Sequence, residues 1–448
     1  MTDATLYREH LEILDGYLQR ALEEARDHGV ELKGVLFHSG REVEYHADDH
    51  PVNFKPTPHF RRWVPVEGPE HVVLARPGQR PRVVVVRPQD YWYDPSPIPE
   101  SYWQGEVDVT EVGGFDQVAA ELGNLTWVAY VGDSPAAAGE LGVPPHLIEP
   151  AALMYPLDWY RAYKTDHEVA LVRDACEDAA RAHLAARDAF LEGASEYQIH
   201  ERYLEAAGEL EKETPFFPIS ALDEKCSVLH YQFKRGREAA PGTVLLMDAG
   251  AATDGYASDL TRTWARHDAD PVFHQLLAGV DAFQRKLVAG VRPGASYVEL
   301  HLEAHRHVAR LLAEAGIFKV SAEEAYERGL TRPFFPHGLG HHLGIQVHDV
   351  GGRQTSSSGG TTAPPEGHPY LRTTRPIEPG HLLTIEPGIY FIPMLLEPLR
   401  SGSDASAVEW GLVDRLVSCG GIRIEDDVLC TAGEPRDLSR DLLPGPRG

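Results

Sequence analysis

One short segment occurs twice in this sequence, and it constrains the fold of the second part of the chain more than any other feature. GASEYQIHERYLEAAGEL at 193–210 resembles GASYVELHLEAHRHVARL at 294–311. In each copy a serine, Ser195 or Ser296, has Gln or Glu three residues later, the pattern of a capping box that begins a helix. Each copy follows a long helical stretch and precedes β-rich sequence. Two helix pairs followed by strands predict a domain with pseudo-twofold symmetry, although a match of this length is also compatible with chance.

The first third of the chain has a different pattern, in which short β-rich runs alternate with helical stretches. These runs lie at 34–40, 71–77, 82–88 and 127–134. Such alternation predicts an α/β domain. Near residue 160 the pattern changes, and Thr165 with Glu168 forms a capping box before a long helix. Since 448 residues suit two hydrophobic cores, we predict an α/β domain at 1–160 and an α+β domain at 161–440.

Composition argues against several kinds of partner. The chain has 42 Lys and Arg against 68 Asp and Glu, a net charge of −26, and such a surface repels nucleic acid and anionic membranes. No apolar run approaches the roughly 20 residues of a membrane span, and the charged N-terminus lacks the apolar region of a signal peptide. The four cysteines form no CxxC pair, which favours a reducing compartment. We therefore expect a cytoplasmic protein.

Two strand-like runs carry aspartates that a hairpin would bring together. The run at 244–250 contains Asp248 near its end, and Asp259 opens a second run at 259–264. A hairpin of this length puts both carboxylates at one end of a sheet. A single aspartate at a strand end is usually a cap or a turn former, so the pair favours a functional site and a structural role about equally.

The second half of the domain offers two further carboxylates. Glu386 ends an apolar run before Pro-Gly, and Glu425 lies in the segment GGIRIEDD. With a period of two, Arg423 and Glu425 share one face of that strand, whereas the isoleucines share the other. A charged face inside an apolar strand needs partners if it is buried.

A histidine-rich segment at 336–349 separates these carboxylates in the sequence, with histidines at 337, 341, 342 and 348 among glycines. Four converging carboxylates would repel one another strongly if left bare, whereas two divalent cations would cancel their charge and leave a bridging hydroxide as the residual charge. Oxygen-rich ligands with an imidazole suit Mn²⁺, Co²⁺ or Zn²⁺. Two such ions about 3.5–4 Å apart can acidify a water and polarise a carbonyl or phosphoryl oxygen. The pattern therefore predicts a hydrolytic centre.

The motifs MDAGAATDGYASDLTRTW, PHGLGHHLGIQVHDVGG, LTIEPGIYF and GGIRIEDD resemble those of the metallopeptidases with the pita-bread fold. Within that family the sequence is most similar to bacterial Xaa-Pro dipeptidases, and DDHPVNFKPTPHFRRWVPV extends the resemblance to nearly the whole chain. The resemblance implies a creatinase-like α/β N-terminal domain, a pseudo-twofold α+β pita-bread domain, and hydrolysis of dipeptides that end in proline. It also implies two Mn²⁺ ions per subunit, a homodimer and, in some relatives, hydrolysis of organophosphorus esters.

The resemblance also implies roles for single residues. Asp248 would chelate one ion, Asp259 and Glu425 would bridge both, and His341 and Glu386 would complete the other shell, with His342 a bystander. Glu386 would in addition carry the proton from the water to the leaving nitrogen. The remaining matches are catalytic histidines, His348, His337 and His230, and substrate-binding residues, Arg372, Arg423 and Asp48, the last beside Asp49 in a loop that would cover the partner's site.

One position departs from the relatives. Phe216 stands where they often carry Tyr in the substrate pocket, which puts fine specificity and organophosphorus hydrolysis in doubt. Two alternatives remain at this point. The first is an aminopeptidase P, with the same fold and metals but longer substrates. The second is a metal-free relative that binds peptides or histones, or acts like creatinase, which the filled set of five ligand positions argues against.

Overall fold

A computed structural model describes residues 4–92, 98, 101–236 and 240–446. The chain forms two compact units, one of Met1–Leu171 with Gln354–Gly360, the other of Val172–Arg353 with Thr361–Gly448. The boundary predicted near residue 160 lies a short way before this division. None of the helices in the described ranges combines the length and the apolar character that a membrane span requires.

The first unit is built on a five-stranded sheet with the order β4-β3-β2-β1-β5. The β1–β5 and β3–β4 pairs are parallel, whereas β1–β2 and β2–β3 are antiparallel. All four β-rich runs predicted from the sequence are strands of this sheet, because their Val, Leu and Phe side chains are buried in one core. The elements are α1 (Ala4–Asp27), β1 (Gly34–His38), α2 (Pro58–Arg61), β2 (Val72–Ala75), β3 (Arg82–Val86), β4 (Asp108–Val112), α3 (Val118–Leu122), β5 (Val128–Val131), α4 (Pro135–Glu140) and α5 (Ala151–Arg161).

The helix predicted after Thr165 is present as α6 (Asp166–Glu192) and crosses the division between the units. Its capping box is complete, since Thr165 N–H donates to Glu168 Oε2 at 2.9 Å and Glu168 N–H donates to Thr165 Oγ1 at 3.3 Å. Glu168 also pairs with Arg62, whose Nε and Nη2 lie 3.0 and 3.1 Å from its two oxygens. Although burial raises the pKa of Glu168, the charges of Arg62, His10 and Lys164 lower it to about 2.

The substitution Glu168→Gln should therefore destabilise the first unit. Gln can still accept the Thr165 N–H bond, but the Arg62 guanidinium, 7% exposed, would be left buried without its counter-charge. We expect the free energy of unfolding to fall by about 3 kcal/mol, measured by urea denaturation. The control is Glu106→Gln, which breaks the more exposed pair with Arg8 and should cost less than about 1 kcal/mol. Equal unfolding midpoints for the two variants would contradict the prediction.

The second unit repeats a plan of two helices followed by strands, as the duplicated segment predicts. Ser195 forms a full capping box with Gln198, and Ser296 accepts the N–H of Glu299 at the matching helix. The elements after α6 are α7 (Glu196–Ala207), β6 (Ile219–Leu222), β7 (Val244–Ala249), β8 (Ala252–Thr253), β9 (Tyr256–Ala257), β10 (Leu260–Ala265), α8 (Pro271–Ala289), α9 (Tyr297–Glu314), α10 (Ala322–Glu327), β11 (Gln354–Ser356), β12 (Gly359–Thr361), β13 (Leu382–Ile385), β14 (Gly388–Tyr390), α11 (Pro393–Ser401), α12 (Trp410–Leu416), β15 (Gly421–Arg423), β16 (Asp426–Leu429) and β17 (Arg436–Asp437).

The β11–β12 ribbon belongs mainly to the first unit, although its residues lie within the sequence range of the second. Gln354 Nε2 donates to the carbonyl of Tyr155 at 3.0 Å. Gly359, with φ of +105°, has no room for a side chain, because a Cβ there would lie 2.8 Å from the Tyr155 ring. These contacts with α5 explain why the ribbon belongs to the first unit, although the residues before and after it in the chain belong to the second.

Three small sheets position the site in the second unit. Their strand orders are β10-β7-β6, β13-β16-β17 and β14-β15. An isolated antiparallel bridge between Thr261 of β10 and Glu425 joins the first half of the unit to the second half. Apart from β17, these strands are largely buried, so each polar side chain among them needs a partner inside the protein.

Candidate metal centre

The hairpin predicted for the two aspartates is confirmed. β7 and β10 pair antiparallel, with Asp248 opposite Thr261, and Asp259 directly precedes β10. Gly250 makes the turn possible, because a Cβ at that position would lie 1.9 Å from the carbonyl oxygen of Ser258. Both carboxylates consequently lie at the same end of the sheet, and both are almost fully buried.

Glu425 lies between β15 and β16 and bonds to the opposite half of the unit. Its N–H donates to the carbonyl of Thr261 at 3.0 Å, and Thr261 Oγ1 donates to Glu425 Oε2 at 2.6 Å. Thr261 was missed in the sequence reasoning, although it lies two residues after Asp259 on the same face of β10 and period two could have indicated it. This threonine fixes the orientation of the Glu425 carboxylate.

His341 is held at the site by both its backbone and its ring. Its N–H donates to Thr384 Oγ1 at 3.1 Å, and Thr384 N–H donates to its carbonyl at 2.9 Å. Nδ1 donates to the carbonyl of His342 at 2.9 Å, because a carbonyl can only accept. The proton is therefore on Nδ1, and Nε2 keeps a lone pair for a ligand. That nitrogen lies 3.4 Å from Asp259 Oδ2 and 3.8 Å from Glu386 Oε1.

The ligand atoms of Asp259, His341 and Glu425 all lie within 4.8 Å of one another. Asp248 adds Oδ1, which is buried and has no hydrogen-bond partner in the described part of the chain, while its Oδ2 accepts from Arg423 Nη2 at 2.5 Å. Glu386 follows β13 and its N–H donates to the carbonyl of Leu339. Four of the predicted positions thus offer carboxylate oxygens, and one offers an imidazole nitrogen.

The electrostatics of this cluster favour bound cations. Burial raises the pKa of Asp259 well above its usual range, and the charge of Asp248 adds to the effect. Burial and the neighbouring carboxylates raise the pKa of Glu425 in the same way. Glu386 is also raised, to about 7, chiefly by burial. Buried carboxylates that lack counter-charges are costly, so oxygen-binding divalent ions fit this donor set.

The predicted catalytic histidines lie near the cluster or act on it electrostatically. His337 Nδ1 lies 3.6 Å from Glu386 Oε2, and the rings of His348 and His341 are nearly perpendicular with centroids 4.4 Å apart. His230 is close enough for its charge to lower the pKa of both His337 and His348. The structure therefore places His337 and His348 beside the cluster and His230 within electrostatic reach of both.

Tyr390 was also missed in the sequence reasoning, although it lies in the LTIEPGIYF motif. Arg423 Nη1 donates to the Tyr390 hydroxyl at 2.8 Å, and that hydroxyl lies 2.8 Å from His337 Nε2. Since the hydroxyl accepts from Arg423, its own proton is free to bond to His337. Burial above all lowers the pKa of His337 to about 3, which keeps its ring neutral. The chain from Asp248 through Arg423 and Tyr390 ends on His337.

The two predicted substrate-binding arginines and the bystander His342 lie in different surroundings. Arg372 is exposed, and its charge acts on His341 and His348. Arg423 is buried against Asp248 and Tyr390. The role of both arginines toward a substrate carboxylate stays a prediction. His342 packs edge-to-face on His381, with ring centroids 4.8 Å apart.

Two further sequence predictions concern residues outside this cluster. Asp48 lies in an exposed turn of the first unit, where its Oδ1 accepts the N–H of Asp49 at 2.8 Å. Its contact with a substrate stays a prediction. Phe216 is half-buried in the segment that leads into β6, and β6 pairs with β7 so that Ile219 is opposite Asp248.

Known proteins match this chain over nearly its full length. The model of metallopeptidase family M24 matches residues 170–432, and that of the Xaa-Pro dipeptidase N-terminal domain matches residues 5–159. The Xaa-Pro dipeptidase of Klebsiella pneumoniae subsp. pneumoniae is 40% identical over 445 residues, which cover 98% of each chain. The Xaa-Pro dipeptidase of Cronobacter sakazakii is 40% identical over 444 residues, with the same coverage.

A solved structure supports the fold. Proline aminopeptidase P II from Yersinia pestis matches with a TM-score of 0.69 at 24% identity, covering 96% of this chain and 98% of that one. The predicted fold class, an α/β N-terminal domain followed by a pita-bread domain, is confirmed, and so is the predicted family. The family match also implies a divalent metal, which agrees with the donor set described above. The chain is a metallopeptidase of family M24, in the group that carries the Xaa-Pro dipeptidase N-terminal domain.

Proposed function

We propose that this metallopeptidase cleaves dipeptides with proline at the second position. The observation that carries the proposal is the 40% identity to Xaa-Pro dipeptidases over 98% of the chain. The convergence of buried carboxylates on the free Nε2 of His341 supports it. Proline in the substrate has no amide N–H and a fixed φ. A site that works on the scissile carbonyl has no need of that N–H.

We assign two divalent cations to this site, most favourably Mn²⁺, with Co²⁺ or Zn²⁺ as alternatives. Asp248 would hold one ion, and His341 and Glu386 would hold the other. Asp259 and Glu425 would hold both ions. The bound pair would supply an acidified water and polarise the carbonyl oxygen. The buried and mutually repelling carboxylates support this count, because one ion would leave part of their charge unbalanced.

The protein groups around the cations carry the remaining steps. Glu386, whose Oε2 lies 3.6 Å from His337 Nδ1, would accept a proton from the attacking water and pass it to the leaving nitrogen. Tyr390 holds His337 in place. Together with His348 and His230, this histidine would bind the oxygens of the tetrahedral intermediate. Arg372, exposed at the edge of the cluster, would bind the free carboxylate of the dipeptide as a bidentate partner.

The length of the preferred substrate separates this proposal from an aminopeptidase P activity. We expect kcat/KM for Ala-Pro to exceed that for Ala-Pro-Ala by at least about 100-fold. In the tripeptide the proline carbonyl is part of a peptide bond, so a neutral group would lie where the free carboxylate of the dipeptide binds. Chromatography of the products under single-substrate conditions would give both constants. A preference for the tripeptide would overturn the dipeptidase assignment and leave the metal centre intact.

Homodimerisation is part of the same proposal, with Asp48 and Asp49 contributed across the interface. The exposed turn that holds both residues is compatible with that role. Sedimentation of the full chain gives the oligomeric state, and Asp48→Asn should raise KM for the dipeptide with little change in kcat. Organophosphorus hydrolysis and a cytoplasmic location remain predictions, and a Phe216→Tyr variant would test the pocket's part in the former.

A further inference from the structure

We infer that this protein has a second metal site, separate from the carboxylate centre, made of His301, His305 and His368 and suited to a Zn²⁺-class ion. The three ligating nitrogens lie within 4.8 Å of one another in the second unit. His301 and His305 are one helical turn apart on α9, and His368 comes from the loop between β12 and β13. Histidines four residues apart on one helix face are a common pair for zinc.

The ring geometry is that of a three-sided cage. The three ring centroids are 4.6–4.8 Å apart, and the ring planes meet at 69–86°. His301 Nε2 and His368 Nδ1 are 2.9 Å apart. Tetrahedral zinc, with bonds of about 2.0–2.1 Å, separates its ligand nitrogens by roughly 3.3 Å. For this pair, a spread of a few tenths of an ångström would reach that separation.

Burial leaves nitrogens of this cluster unpartnered. His301 and His305 are each 1% exposed, and His305 Nε2 and His301 Nδ1 have no hydrogen-bond partner within the described residues. An unsatisfied buried polar group costs about 1–3 kcal/mol. A hydrogen bond between the two histidines would account for His301 Nε2 and His368 Nδ1 but would leave His305 Nε2 unexplained. An ion would use that nitrogen.

His305 also has the outer contact that ligating histidines usually make. Its Nδ1 lies 2.9 Å from Thr331 Oγ1, which fixes the ring and directs Nε2 toward the other two imidazoles. Burial lowers the pKa of His301 to about 3 and that of His305 well below its usual value, so both rings are neutral and competent to bind a metal. The positive charge of Arg332 acts on His305 and His368, and it weakens the binding of a cation at this site.

The donor set distinguishes this site from the carboxylate centre. All three donors are neutral imidazoles, which suit Zn²⁺, Cu²⁺, Ni²⁺ and Co²⁺, whereas Mn²⁺ prefers oxygen. His368 also borders a cavity that His337 and Tyr370 line. A bound ion would tie this loop, which continues to Arg372, to α9.

Cobalt titration of the full chain tests the inference. Metal-free protein is dialysed against rising Co²⁺, the ions per chain are counted by elemental analysis, and the visible spectrum is recorded, since four-coordinate Co²⁺ absorbs far more strongly than six-coordinate Co²⁺. We expect His368→Ala to bind one ion fewer per chain than the parent and to lose the strong band. His307→Ala is the matched control, because His307 is on the same helix but stacks on Phe283, and it should keep both.

Equal ion counts and spectra for the parent and His368→Ala would overturn the inference. A measurement without any variant guards against misfolding: Co²⁺ should protect His368 from diethylpyrocarbonate, and equal modification with and without Co²⁺ would also overturn it. The inference and the proposed function fail separately. Glu425→Gln should reduce occupancy of the carboxylate centre and retain the band that depends on His368.

Discussion

Replacing Glu425 with Gln is expected to lower kcat/KM for an Xaa-Pro dipeptide by well over 100-fold while the protein remains folded. Loss of an outer-shell partner of a metal typically costs about 10–100-fold in affinity or activity, and a carboxylate assigned to both ions should cost more. Gln keeps the volume of Glu and can still accept the Thr261 hydroxyl, which lies 2.6 Å from Glu425 Oε2. The bonds that hold the strand are thereby preserved, and the negative charge is lost.

Steady-state hydrolysis of Ala-Pro, with ions counted in the same samples, measures this effect. The control is Glu434→Gln, an identical change at an exposed glutamate that pairs with Arg292, and it should leave the kinetic constants within about twofold, as expected for surface sites. Near-normal turnover in the Glu425 variant would remove this residue from the centre. Loss of activity together with loss of the folded circular dichroism spectrum would count against the assignment of a metal-binding role and in favour of a structural one.

Loading the carboxylate centre with Mn²⁺ at pH 6 should release at least about one proton per chain. In the metal-free protein Glu386 has a pKa of about 7, so it is mostly protonated at pH 6 and mostly ionised at pH 8. The pKa values of Asp259 and Glu425 are also raised, so both carboxyl groups add to the release. The pKa of His341 is lowered by burial, which reduces the contribution of its ring. For each proton that binding releases, the metal affinity should therefore fall by about tenfold with every pH unit below 7.

Calorimetric titration of Mn²⁺ in buffers of different ionisation enthalpy gives the number of protons directly. Glu425→Gln should release fewer protons than the parent, and the Glu434→Gln control should release the same number. The number should decrease as the pH is raised to 8. Proton uptake, or no proton exchange at pH 6, would show that the buried carboxylates are ionised before the metal arrives and would contradict the electrostatic account of the site.

The candidate site was predictable wherever its residues lie in local patterns. The Asp248–Asp259 hairpin followed from strand-like runs and a glycine-rich turn, and period two placed Arg423 and Glu425 on one face. Longer-range contacts have no such signal. The capping box at Glu168 was visible in the sequence, but its pairing with Arg62, 106 positions earlier, depends on tertiary packing. Likewise the spacing of His301 and His305 was visible, but His368 joins them only through the folded loop.

The bridge between Thr261 and Glu425 has a consequence for protein synthesis. The proposed ligands extend from residue 248 to residue 425, so a nascent chain on the ribosome lacks part of the centre until almost the whole catalytic unit has emerged. Contacts this distant in sequence also form late, because long loops must close first. Under the proposed assignment, complete ion loading would follow translation, and a stalled or truncated chain that ends before Glu425 would carry three of the four acidic candidates.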